Sequence, residues 1–119
     1  MGVFAYTDIV KKPLQMDGVD KATGTEVIGP KEGWGNHVLR LFQIEPGGHT
    51  PRHQHEWEHI NYVVSGRGRL RIGTAVHEVG PKDFAVVPPN AEHQFDNPYD
   101  EPFEFICIVP TSAYADKSY

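Results

Sequence analysis

Three of the chain's seven histidines fall within seven residues, His53-Gln54-His55-Glu56-Trp57-Glu58-His59, and a fourth, His93, follows the Pro-rich turn Pro88-Pro89-Asn90. Imidazole nitrogens at this density are donors suited to a transition metal. Two geometries compete for the cluster. His55 to His59 matches both the H-E-x-x-H pattern of zinc peptidases and its inverted H-x-x-E-H form, and each requires a helix. On a helix His55 and His59 share a face, while His53 stands roughly 200° from His55 at about 100° per residue and is lost to the site. On strands the period is two, so His53 and His55 project to one face and His59 returns to it from the neighbouring strand of a hairpin. The flanks favour strands: Ile60-Asn61-Tyr62-Val63-Val64 is β-branched and aromatic, it ends at Ser65-Gly66-Arg67-Gly68, and Pro51 precedes it. A hairpin is expected.

The rest of the chain must hold that hairpin in place. At 119 residues it is one domain. Twelve glycines and ten prolines, spread throughout, leave few gaps for a helix of ordinary length. His37 to Glu45 reads as a strand with Val38, Arg40, Phe42 and Ile44 on one face, and Pro46-Gly47-Gly48 as a turn into the hairpin. Short strands follow at Arg69–Ile72, Ala75–Val79, Phe84–Val87 and Ala91–Phe95, and a last long one at Phe103–Val109 carries Phe105 and Cys107 on one face. Short strands at turn spacings of roughly 8 to 12 residues indicate an all-β sandwich or barrel.

Residues 1–36 are polar and only briefly apolar. They are expected to form an N-terminal arm of one or two edge strands, either on the main body, residues 37–110, or across to a partner subunit. Residues 111–119 form a polar tail. The net charge of −5 comes from mixed acidic and basic residues, which leaves no footprint for nucleic acid or an anionic membrane. A single cysteine, Cys107, fits a reducing compartment. The N-terminus lacks a basic, then apolar leader pattern, so a soluble cytoplasmic protein and a homodimer built through the arm are expected.

Two motifs resemble the cupin family. Gly47, His53, His55 and Gly66 fall in the register of its first motif, with His59 where the family usually has Glu. Pro88, His93 and Asn97 fit the second, with Gly80 two residues further upstream than usual and Asn90 replacing the inner Gly; Asn tolerates the same left-handed turn. The set is similar to small single-domain cupins with a four-histidine, manganese-type site. The resemblance implies a double-stranded β-helix, a small jelly-roll barrel with the ion in its mouth.

It also implies His53, His55, His59 and His93 as ligands. Mn is the expected ion, and Fe, Co, Ni, Cu and Zn suit the same donors. Four neutral ligands leave the full +2 charge uncompensated, favouring anionic or enolate-like molecules. Cys107, Arg40 and Trp57 are candidate pocket residues: Cys107 is either a pocket thiol or buried filler, Arg40 an anion anchor or a strand-end charge, and Trp57 a pocket wall or packing under the hairpin. Asn61 shares parity with His59 as a second-layer partner or a solvent-facing residue. A dioxygenase-like oxidoreductase acting on a small molecule is the leading functional expectation. A non-catalytic metal- or ligand-binding module, a cupin isomerase and, third, a peptidase are the alternatives.

Overall fold

The computed structural model describes residues 2–113; the expected tail beyond residue 113 lies outside the described residues. Eight strands follow one another: β1 Asp20–Ile28, β2 His37–His49, β3 His59–Ser65, β4 Gly68–Ile72, β5 Ala75–Val79, β6 Phe84–Val87, β7 His93–Asp96 and β8 Phe103–Pro110. Hydrogen bonding orders them β5-β4-β7-β2-β8-β3-β6, with β1 on β2, and all pairs are antiparallel. This is the all-β jelly-roll barrel, with two short 3-10 turns at Tyr6–Asp8 and Pro30–Glu32. Among the described residues no helix is long and apolar enough to cross a membrane.

β2 joins the two layers. Its first part pairs with β8 from His37–Pro110 to Ile44–Phe103, and its end pairs with β7 at His49–Asp96. Pro46-Gly47-Gly48 is therefore not a chain reversal but a bend within one strand, where Gly47 takes φ +83° and the pairing shifts register. The expected reversal gives way because Gly47 N–H donates to the Asn97 carbonyl at 2.8 Å and Asn97 N–H to the Gly48 carbonyl at 3.0 Å, which keeps the chain extended across the corner. The side chain of Asn97 also holds the carbonyls of Ile44 and Glu101.

The alternation read along β2 holds. Val38, Arg40, Phe42 and Ile44 are buried inward, and they meet Val109, Cys107, Phe105 and Phe103 of β8 in register. Phe103, Ile44, Leu70, Val38, Val87 and Val109 are fully buried, and each such side chain contributes about 1.5–3 kcal/mol relative to exposure.

The segment before β1 lies on this body. β1 pairs with β2 of its own chain. Ahead of it, the Tyr6 hydroxyl donates to the Glu104 carboxylate at 2.7 Å, and Lys11 stands 3.8 Å from the same group, so the arm covers a carboxylate buried on the outer face of β8.

Candidate metal centre

The expected hairpin does not form over the first histidines. Residues 50–58 run extended from one layer to the other and pair only through the isolated bridge His53–His93, with backbone bonds of 3.1 and 2.9 Å. A ladder fails because this stretch crosses between layers: Thr50 N–H donates to the Phe95 carbonyl on β7, whereas β3, starting at His59, belongs beside β6 and β8. The period of two survives without the ladder. His53, His55, Trp57 and His59 turn inward, and Arg52, Gln54, Glu56 and Glu58 are exposed. The extended backbone also rules out the helical peptidase arrangement.

The opposite turn supplies the fourth histidine. Asn90 adopts φ +66°, the left-handed conformation expected of it, and its N–H donates to the His55 carbonyl at 2.7 Å. That tie sets the His93 strand end against His53 and His55. The ligand atoms of His53, His55 and His93 lie within 4.8 Å of one another. His59 joins through His93, with the two Nε2 atoms 3.1 Å apart.

Hydrogen bonding at the back of three of the rings fixes their tautomers. His55 Nδ1–H donates to the Trp57 carbonyl at 2.9 Å, His93 Nδ1–H to the Ala91 carbonyl at 2.9 Å and His59 Nδ1–H to Asn61 Oδ1 at 2.8 Å. Asn61 is buried and its amide N–H donates to the Ile106 carbonyl at 3.2 Å, which orients Oδ1 toward His59. Asn61 thus acts as an acceptor behind the ring. Three Nε2 lone pairs are left facing inward, the arrangement a metal requires of its imidazoles.

Burial lowers all four histidines from an ordinary pKa of 6.5 to about 4, so all are neutral at pH 7. The 3.1 Å approach of His59 and His93 then brings two acceptors together with no proton between them. A shared cation resolves that contact, and neutral imidazoles are suitable donors for one. The residues present fit a transition ion.

Arg40 and Cys107 lie in the same cavity. Arg40 is buried, its Nη2–H donates to Cys107 Sγ at 3.1 Å, and its guanidinium sits 4.8 Å from the Phe42 ring centre. Its charge helps to hold His53, His55 and His59 neutral. Burial pushes the Cys107 thiol up, opposed by Arg40, which pulls it down. Phe42, Phe95 and Phe105 complete an apolar wall, and no acidic side chain lines the cavity among the described residues. The free space inside is about 30 Å³, room for an ion with one or two water-sized groups, and it opens to solvent at its mouth.

Trp57 stands outside the lining. It stacks on the back of His55 at 4.6 Å and 8° between planes, packing the ligand ring rather than walling the pocket. Of the remaining histidines, His37 stacks on Trp34, His49 bonds to the Thr50 carbonyl and His77 is exposed.

Residues 40–109 match the cupin domain. The chain belongs to the cupin family. This cupin is 39% identical over 79 residues to the 1-methylthio-D-xylulose 5-phosphate methylsulfurylase of Rhodospirillum rubrum; the match covers 66% of the chain and 49% of the relative, so the chain spans about half that relative's length. The polyketide cyclase RemF from Streptomyces resistomycificus has a similar solved structure, with TM-score 0.86 and 29% identity over 92% of this chain and 79% of that one. A predicted oxalate decarboxylase from Thermotoga maritima shares the fold, with TM-score 0.82 and 15% identity over 92% of this chain and 98% of that one.

Sequence reading missed Leu14 and Met16 of the arm, which also line this cupin's cavity. The signal was present in their alternation, since two apolar side chains two residues apart in a polar stretch share one face of an extended chain.

Proposed function

We propose that this cupin is a metal-dependent enzyme in which His53, His55, His59 and His93 hold one divalent ion, manganese by expectation. Its reaction would be a dioxygenase-like oxidation of a small, enol-forming anionic molecule. The observation that carries the reading is the 3.1 Å contact of two Nε2 acceptors beside two further imidazoles, in a cavity that Arg40 lines and, among the described residues, no acidic side chain does. When bound, the ion would supply Lewis acidity and, as Mn or Fe, one-electron chemistry toward oxygen. The chain's own residues do the rest. Arg40 faces the anionic group of the substrate, Phe42, Phe95 and Phe105 exclude water, and Asn61 keeps His59 in the donor tautomer its ligation requires. Metal analysis of protein purified without chelator, followed by oxygen-consumption assays with Mn, Fe and Cu reconstitution on a β-diketone, tests it. Metal-loaded protein that consumes no oxygen with any of the three ions removes the oxidative reading.

A second reading is favoured by Cys107, whose sulfur sits in the cavity 3.1 Å from Arg40. The relative named as a methylsulfurylase of a methylthio sugar phosphate points to chemistry at the sulfur of such a molecule. Turnover of a methylthio sugar phosphate under strict anaerobiosis, lost in Cys107→Ser, would select this reading over the first.

We infer further that the protein is a homodimer through the outer face of the layer containing β8, β3 and β6. Ile60 pairs with Val86 and Ile108, and Tyr62 with Phe84 and Ile106, giving a block without formal charge in which Phe84, Val86 and Ile60 are 77%, 59% and 51% exposed. An exposed apolar block without formal charge suits isologous pairing with itself. Because β1 already lies on its own β2, the arm need not cross between subunits. Light scattering that shows a monomer at micromolar concentration removes the inference.

A further inference from the structure

We propose that residues 12–18 form a strap that sets the size of molecule admitted to the metal cavity, with Leu14 and Met16 as the selecting side chains. The inference rests on the metal-site reading above. It concerns a segment outside residues 40–109, the part that matches the cupin domain.

The strap is an added edge on β1. Gly24 N–H donates to the Lys12 carbonyl at 2.8 Å, Leu14 N–H donates to the Ala22 carbonyl at 3.1 Å, and Pro13 bridges to Thr23 between them. Proline, with no N–H, is tolerated at such an outermost position. Extended pairing places Leu14 and Met16 on one side, and both are half-buried while Pro13, Gln15 and Asp17 are exposed. That side faces the histidines, since both residues line the cavity together with His53 and His55. At its far end the chain turns at Gly18 against Pro51, which lies two residues before His53 and lines the same cavity.

Gly24 sets how deep the strap can sit. A Cβ there would stand 2.6 Å from Leu14 Cδ2 and 2.7 Å from a Phe42 ring carbon. Leu14 reaches Phe42, and through it the cavity, because position 24 has no side chain. The aromatic wall is closely packed: Phe42, Phe95 and Phe105 are buried, with Phe105 stacked on the other two at centroid distances of 5.5 and 4.2 Å. Size discrimination therefore belongs to the strap, where a branched aliphatic and a flexible thioether side chain stand on an exposed segment.

Titration of the cobalt-loaded protein by visible absorption with acetylacetone and dibenzoylmethane tests this, because the two probes share a chelating group and differ in bulk. The double variant Leu14→Ala, Met16→Ala should bind dibenzoylmethane at least about tenfold more tightly than the parent, with acetylacetone within about twofold. Gly24→Ala, by displacing the strap, should move the ratio of the two affinities the same way. Met16→Trp should instead weaken acetylacetone about tenfold at unchanged cobalt content. An affinity ratio equal in parent and double variant, both fully loaded, overturns the strap alone. A parent that takes up no cobalt overturns the metal reading and the strap with it.

Discussion

The two ends of the barrel interior are built by the same strands and could hardly differ more. Along β3 the inward residues run His59, Asn61, Val63; along β2, Arg40, Phe42, Ile44; β8 runs the other way, from Phe103 through Phe105 to Cys107. The base is aromatic and aliphatic, with Phe103 fully buried. The mouth is a ring of desolvated polar groups, with two imidazole acceptors 3.1 Å apart. Aromatic packing is thus concentrated at one end, and at the other, next to the buried Val38–Val109 pair, the protein keeps a costly polar cluster for which folding alone gives no reason.

The comparison is broken most sharply at the base. Phe103→Ala should destabilise the protein by about 3–5 kcal/mol, because Phe95 and Phe105 around it are themselves fixed in the cluster and cannot close the cavity. Denaturant unfolding reads this directly, and metal uptake by the folded fraction should be unchanged. At the mouth the expectation reverses. His93→Ala should weaken metal retention beyond the roughly 100-fold upper range of changes behind a ligand, while the metal-free protein loses little stability. A fall in metal-free stability as large as that of Phe103→Ala would show that the histidines belong to the core.

Acid should act on the mouth. The four imidazoles have folded-state values near 4, below the ordinary 6.5. A group whose pKa is lowered on folding leaves stability intact above the unfolded value and takes it away as pH falls. The metal-free protein should therefore hold a constant melting temperature above about pH 6.5 and lose it steadily toward about pH 4. Thermal melts across that window check it, and His93→Ala should flatten the slope.

Much of this contrast was legible in the sequence, and the illegible part has a common cause. Parity along β2 and β8 placed Arg40, Phe42, Phe105 and Cys107 on the inner face because period-two alternation is a local property. The left-handed Asn90 was legible for the same reason. Pairing is not local. The segment from Thr50 to Glu58 has strand-like alternation, yet its neighbours are decided by which layer each end joins, so the hairpin gave way to a crossing paired at the single His53–His93 bridge. The Pro46-Gly47-Gly48 bend failed likewise, since its backbone partners lie at Asn97. Leu14 and Met16 escaped notice because their environment is made by β1, which Leu14 meets at Ala22, and by the distant cavity residues.

A subtler change lies one layer behind the ligands. Asn61→Leu removes the acceptor for His59 Nδ1–H and frees the ring to rotate or to change tautomer. Metal affinity should fall about 10- to 100-fold, less than for loss of a ligand. Competition with a chelator of known affinity measures it, and an unchanged affinity would make Asn61 a packing residue only.

The smallest expected effect is the most discriminating, and it concerns His59, where this chain departs from the Glu usual in the wider family pattern. His59→Glu keeps a donor at the position, so metal should be retained where His59→Ala loses it by an order of magnitude or more. The added carboxylate lowers the site's net charge by one unit, and an anion about 4 Å from it loses about 1 kcal/mol of attraction at the screening of bulk water, or roughly fivefold in affinity. Acetylacetone titrated into the cobalt-loaded variant should bind more weakly by about that factor. Metal content and probe affinity together separate the possibilities. If His59 is a ligand, Ala loses metal and Glu keeps metal with weaker anion binding. If it is only a barrel-face imidazole touching His93, both variants should hold metal like the parent after dialysis against a mild chelator, and the centre reduces to His53, His55 and His93, whose ligand atoms already lie within 4.8 Å of one another.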